Sequence, residues 1–260
     1  MNVYTTAQSS NKARHTVCVT GSMRSGSSMI TRILNICGMN LGADIDILEP
    51  DSTGNAAGYW ENVKFIYANK VIMQSMREDS VTPLQQNSTQ TNPKILSDAS
   101  YRTARKFLQN ELKGDFVGWK DPNNSMTLKF WKNVVPDLRV VLCVRNPYDV
   151  AMSLLESPFF RLDIDAGLRL WEQYNTSVLN IVPSQDLIIS RYENYFTDPE
   201  REIHKLLAEL GIKSVNSKTI KLAATSIQPS LWHYRNTKVP TVNKVLGQKV
   251  NLLYQKLLLL

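Results

Sequence analysis

Glycines stand at positions 21 and 26, with Ser22, Arg24 and Ser25 between them and Ser27 and Ser28 directly after. Two glycines interleaved with hydroxyls and one guanidinium let backbone N–H groups and side-chain donors converge on a single anion. The spacing Gly21-x-x-x-x-Gly26 is that of a nucleotide phosphate loop. An ATP- or GTP-hydrolysing loop, however, continues with Lys and then Ser or Thr, where this chain has Ser27-Ser28. The chemistry to expect is the holding of a phosphate-like group other than a magnesium triphosphate. A second anion site is signalled by Arg145. It precedes Asn146-Pro147-Tyr148-Asp149, which reads as an N-cap, a proline at the first helical position and an acid in the first turn. Ser153 lies eight residues after Arg145, about two turns up the same helix. A magnesium-dependent NTPase usually places an Asp where this strand ends in Arg. Two anion sites without a metal signature imply a ligand phosphorylated at two positions.

These residues need a scaffold, and the chain alternates short apolar runs with helical patterns. Strands are expected at Thr16–Thr20, Phe116–Trp119, Arg139–Val144 and Leu187–Ser190. The run Val140-Val141-Leu142-Cys143-Val144 is apolar at consecutive positions, as in a strand covered on both faces of a parallel sheet. Met29, Ile30, Ile33, Leu34 and Cys37 mark a helix closed by Gly38. Asp198-Pro199-Glu200 opens another, with Ile203, Leu206, Leu207 and Leu210 on one face and Gly211 after its end. The expected fold is α/β and P-loop-like: three layers, with a central parallel sheet flanked by helices and ligands at the carboxyl ends of the strands. Residues 1–14 are expected to form a disordered tail and 15–260 a single domain, with a mobile loop at 77–100, which is rich in Ser, Thr, Gln and Asn. The tail from Pro240 reads as a packed helix or as a homodimer contact.

Composition bounds the function. With 260 residues, 43% hydrophobic and 20% charged, the chain can bury a full core. Neither an apolar run of about 18–20 residues nor a signal-peptide segment at the start is present, so a cytoplasmic protein without membrane insertion is expected. The net charge of +7 is spread without a basic block, which argues against nucleic acid and suits a small polyanion. Cys18, Cys37 and Cys143 have no paired spacing and read as buried thiols, and the isolated His15, His204 and His233 form no metal cluster.

Taken together, Thr20-Gly21-Ser22-Met23-Arg24-Ser25-Gly26-Ser27-Ser28 and Val144-Arg145-Asn146-Pro147-Tyr148-Asp149-Val150-Ala151-Met152-Ser153 resemble the paired signatures of sulfotransferases that use 3′-phosphoadenosine-5′-phosphosulfate (PAPS). The resemblance extends to Gly58-Tyr59-Trp60-Glu61, to Gly118-Trp119-Lys120-Asp121-Pro122 and to Ser190-Arg191-Tyr192-Glu193-Asn194, in the family's order. It is closer to bacterial and Golgi-type members, with Arg-Ser-Gly in the loop, than to cytosolic animal enzymes. The aromatic residue that comes after the loop in those enzymes is Met29 here, and their Lys-x-His becomes Lys120-Asp121-Pro122.

The resemblance implies transfer of the sulfuryl group of PAPS to a hydroxyl or amine of a small-molecule acceptor, releasing 3′-phosphoadenosine-5′-phosphate (PAP), without a metal. The acceptor it suggests is a secondary metabolite, polar toxins included. Gly21, Arg24, Ser25, Gly26, Ser27 and Ser28 would cradle the 5′-phosphosulfate. Arg145 and Ser153 would hold the 3′-phosphate, joined by Arg235, and Tyr192 would contact adenine. Arg24 and Lys120 would stabilise the leaving group. For the base that takes the acceptor's proton, Glu61 leads, with Asp121 and His233 as alternatives. Tyr59, Trp60, Phe159, Phe160 and Trp232 would line the acceptor pocket. The competing functions are a phosphate-loop small-molecule kinase, which would depend on magnesium, and a nucleotide-binding protein without catalysis.

Overall fold

The computed structural model describes residues 14–51, 55, 57–78, 98–235 and 241–260. Four parallel strands, β1 (His15–Thr20), β2 (Phe116–Lys120), β3 (Arg139–Val144) and β4 (Leu187–Arg191), make one sheet in the order β2-β1-β3-β4. All four expected strands are present, with Val19 opposite both Lys120 and Val141, and Val144 opposite Arg191. The chain leaves β1 for β2 on one side and then returns to β3 on the other. The β1/β3 boundary is therefore the switch point, where the connections diverge and leave a crevice at the carboxyl edge.

Helices cover both faces. On one lie α1 (Ser27–Ile36), α7 (Pro199–Glu209) and α8 (Ser217–Thr225), whose Ile30, Ile33, Ile203, Leu206 and Ile220 pack with Val17, Val19, Val141 and Cys143 of the sheet. The other face carries α2 (Val63–Glu78), α3 (Asp98–Glu111), α4 (Asn124–Val134), α5 (Pro147–Leu155), α6 (Ile164–Ile181) and α9 (Lys244–Leu259). Val140, Leu142 and Val144 point into that second layer, where the Trp119 ring stacks on Phe65 at 4.8 Å and tilts against Trp131 at 5.0 Å. Alternate β3 residues thus enter opposite cores, which explains the unbroken apolar run.

Helix ends obey their local chemistry. Asn146 Oδ1 accepts from the Tyr148 and Asp149 N–H groups, and Asp198 caps α7 through the N–H of Arg201. Gly38, at φ 101°, lets α1 close in a Schellman turn, Met39 N donating to Leu34 O at 2.9 Å and Gly38 N to Asn35 O at 2.9 Å. The tail helix begins at Lys244 and packs Leu246, Val250 and Leu257 into the core beside α6, with Lys249 reaching Glu172 at 2.6 Å. Cys18, Cys37 and Cys143 are buried free thiols. No helix of the described residues is long and apolar enough to cross a membrane. The expected tail at 1–14 and mobile loop at 77–100 fall, apart from their edges, outside the described residues.

Candidate active site

Parallel strands bring four chain segments to one edge, and the site is built from the residues just beyond each strand end. After β1, Thr20 Oγ1 bonds Pro122 O at 3.2 Å and Ser125 Oγ at 2.8 Å, tying this strand end to the segment beyond β2. The loop then closes on itself through Ser25 N to Ser22 O at 3.1 Å. Gly26, at φ 88°, is the N-cap of α1 and supplies no capping side chain, so the first-turn N–H groups of the helix are left to an anion. A Cβ on Gly26 would stand 2.1 Å from the Tyr192 ring, so glycine there also lets the residue after β4 close on the loop. The Ser25 hydroxyl is buried without a hydrogen-bond partner among the described residues.

After β3, Arg145 is buried against the loop. Its Nη1 donates to Arg24 O at 3.1 Å and its Nη2 to Tyr234 O at 3.0 Å, while its guanidinium lies 4.8 Å from the centre of the Tyr192 ring. Its buried Nε has no partner among the described residues. Arg24, at φ 66°, turns toward α5, where its Nε donates to Ser153 Oγ at 2.9 Å. Burial and the like charge of Arg145 hold the pKa of Arg24 below its ordinary value. Two guanidiniums, a serine hydroxyl and an aromatic face thus meet at the β1/β3 crevice, an arrangement that favours a multiply charged anion. Arg24 sits with Ser153 and Arg145.

After β2 comes a third basic group of the crevice, Lys120, which is 3% exposed. Its ammonium pairs with Glu61 and also donates to Ser28 Oγ at 3.2 Å and Tyr59 O at 3.4 Å. Asn55 Nδ2 holds the same serine at 3.1 Å. Glu61 is delivered by a turn with two left-handed residues, Gly58 at φ 90° and Trp60 at φ 58°, and is pinned where Leu48 N donates to Glu61 O at 2.7 Å. A tryptophan in that region costs about 1–3 kcal/mol, and such strain persists where the surroundings enforce it. Here Trp60 Nε1 donates to Ala57 O at 2.9 Å.

Asp121 is buried, and both its oxygens are engaged: Oδ2 accepts from Asn69 Nδ2 at 2.8 Å and Oδ1 from the Asn123 N–H at 2.9 Å. Burial pushes its pKa up to about 6, against the pull of those two hydrogen bonds. Asn69 also donates to Asn124 Oδ1 at 2.7 Å and accepts from Thr127 Oγ1 at 2.8 Å and Trp131 Nε1 at 2.7 Å. It is the hub of a buried network that holds the segment carrying Lys120 and Asp121. Asn69→Leu takes the hydrogen-bond partner from Asp121 Oδ2 and Trp131 Nε1, each at a cost of about 1–3 kcal/mol if it stays unsatisfied, whereas Asn124 Oδ1 keeps Trp119 Nε1 and Thr127 Oγ1 keeps backbone acceptors. A fall in Tm of roughly 6–12 °C is expected for a partial loss near 3 kcal/mol. A thermal melt showing a fall under about 2 °C would contradict this role.

A cleft of about 540 Å³ joins these groups, lined by the loop, Arg145, Ser153, Tyr192, Lys120 and Glu61, with Tyr59, Trp60, Phe160 and His233 also on its walls. Phe159 and Trp232 lie outside that lining, and so does Arg235. Arg235 packs 4.6 Å over the Trp232 ring and donates to Pro229 O at 2.7 Å; Trp232 in turn meets Tyr192 edge-on at 5.9 Å. The arginine therefore braces the aromatic neighbour of Tyr192. Asn55, Asn69 and the Tyr234 carbonyl carry no motif signal. Only Asn69 left a trace in the sequence, as a polar residue in the buried stripe Phe65, Asn69, Ile72 of α2.

The family model described as the sulfotransferase family matches residues 16–216. Among solved structures, the sulfotransferase domain of the Synechococcus PCC 7002 olefin synthase is similar at 14% identity and a TM-score of 0.53, over 95% of this chain and 96% of that one. The sulfotransferase domain from the curacin biosynthetic pathway is similar at 13% identity and a TM-score of 0.52, over 94% and 97%. Sulfotransferase STF9 from Mycobacterium avium is similar at 12% identity and 0.54, over 95% and 76%. At these identities the structures speak for a shared fold. No curated protein matches the chain.

Proposed function

Since the chain belongs to the sulfotransferase family, we propose that it transfers the sulfuryl group of PAPS to a hydroxyl or amine of a small-molecule acceptor. The observation that carries the donor assignment is Arg145: buried, set over the Tyr192 ring, with a free Nε, beside Arg24 and Ser153. These residues fit the 3′-phosphate. The uncapped start of α1 and the unpartnered Ser25 hydroxyl fit the 5′-phosphosulfate, and the Tyr192 ring suits a nucleotide base.

When bound, PAPS supplies an SO3 group: a new S–O or S–N bond forms at the acceptor as the S–O bond to the phosphate breaks, leaving PAP. The chain's task is to position and to balance charge. Glu61 takes the proton that the acceptor loses and passes it to solvent. Lys120, shared between Glu61 and Ser28, keeps the carboxylate in place and presents a donor on the loop side, where negative charge gathers. Asp121 holds the segment that carries Lys120. A small acceptor is supported by the cleft and its aromatic walls, Tyr59, Trp60 and Phe160. The similar domains from the olefin synthase and the curacin pathway also favour an acceptor from secondary metabolism.

A thermal-shift comparison tests the donor assignment, because a ligand that binds only the native state raises Tm. PAP at about a hundred times its Kd, with EDTA present, is expected to raise Tm by roughly 5–10 °C. No shift with PAP together with a shift from ATP–magnesium would favour a kinase and overturn the proposal.

A further inference from the structure

Arg32 is a cation of the cleft that the donor site and the proton transfer leave without a task. It lies four residues after Ser28 in α1, so the two side chains share a helix face, with Cβ atoms about 5–6 Å apart. Ser28 is the residue whose hydroxyl holds the Lys120 ammonium. Arg32 thus stands one turn along α1 from the reacting groups, half-buried and on the cleft wall with Leu48 and Ile66.

Its partners set it apart from the other cations there. Lys120 has Glu61, Arg145 has two carbonyls, and Arg24 has Ser153. Among the described residues Arg32 makes no hydrogen bond and no ion pair; its guanidinium lies 5.8 Å from the centre of the Trp60 ring. Trp60 is the residue before Glu61, and its indole is itself held on Ala57 O. A guanidinium drawn toward the face of a fixed ring is biased in position, and its planar fork of N–H donors matches a carboxylate in two parallel hydrogen bonds. The turn that aims Glu61 into the cleft therefore also aims Arg32.

We propose that Arg32 reads a carboxylate on the acceptor, so that the substrates are hydroxy or amino acids in the broad sense: small molecules whose nucleophile reaches Glu61 while an acid group, one turn of α1 away, is gripped against Trp60. This rests on the sulfotransferase reading of the same cleft. A neutral acceptor leaves Arg32 to water at no cost, so the site selects by attraction to the acid.

The test is binding to the PAP-saturated protein, read by saturation-transfer NMR with matched pairs, hydroxybenzoate with hydroxybenzamide and hydroxybutyrate with hydroxybutyramide. The acids are expected to bind about tenfold more tightly than their amides. Arg32→Met, which keeps a long apolar chain on the indole, should bring the ratio to about one, and Arg32→Lys should keep part of it. The PAP-induced rise in Tm should be unchanged in both variants. A wild-type protein stabilised by PAP that binds acid and amide alike, or binds neither, overturns this inference alone, as does a ratio that survives Arg32→Met. A wild-type protein that PAP does not stabilise overturns the donor site and this inference with it.

Discussion

Glu61→Gln is expected to lower the rate of sulfuryl transfer by about a hundred- to ten-thousand-fold, the usual worth of a positioned general base. The substitution keeps the shape of the side chain and leaves an oxygen for the Lys120 ammonium, but the amide cannot accept the acceptor's proton. The ion pair it replaces is largely buried, with Lys120 3% and Glu61 13% exposed, so a structural effect must be separated from a chemical one. PAP binding separates them. The residues proposed for the 3′-phosphate, Arg145 and Ser153, bond other groups than Glu61 does, and the rise in Tm with PAP should match that of the wild type while turnover collapses. The loss should appear in kcat more than in the acceptor's KM, because the proton moves only in the transition state. A Gln variant within about threefold of wild type, measured by PAP release, would remove Glu61 as the base. It would turn attention to His233, which lines the cleft, ahead of Asp121, whose oxygens are both engaged.

Arg145→Met should weaken PAP binding by about a hundredfold or more, since hydrogen bonds to a charged group contribute about 1.5–3 kcal/mol each and the guanidinium offers several donors. Adenosine 5′-phosphate, which lacks the 3′-phosphate, provides the control: its affinity should be nearly the same in wild type and variant. Arg145 also bonds Arg24 O and Tyr234 O, so the ligand-free Tm is expected to fall as well. Arg145→Lys, which retains a charge without the fork, should lie between the two. Calorimetric titration reads all three proteins. Equal loss of affinity for PAP and for adenosine 5′-phosphate would mean that Arg145 merely props the loop.

The scaffold was legible because its signals are local. The apolar run of β3, the Asn146-Pro147 and Asp198-Pro199 helix starts and the closing glycines Gly38 and Gly211 each act within a few residues, and each stands where the spacing put it. A parallel sheet then forces the four strand ends together, so Gly21–Ser28, Lys120, Arg145 and Tyr192 had to meet. What the spacing left open was side-chain direction. Arg24 turns toward α5 because its backbone is left-handed, and Arg235 leaves the cleft wall because Trp232 offers it a ring. The Lys120–Glu61 pair joins segments 59 residues apart, and Asn69 bonds partners 52 to 62 residues away, distances over which no local pattern speaks. Trp60 has the same origin: its conformation serves the turn that carries Glu61.

The most direct measurement of sulfuryl transfer tracks the group itself. The protein is incubated in EDTA with PAPS labelled in that group and a mixture of small alcohols and amines, the hydroxy acids included. Mass spectrometry then reads both nucleotide and acceptor. The expected result is PAP formed in step with an acceptor heavier by one SO3, with neither formed by Glu61→Gln. Intact PAPS and unchanged acceptors, alongside ADP formed from ATP when magnesium is restored, would contradict it.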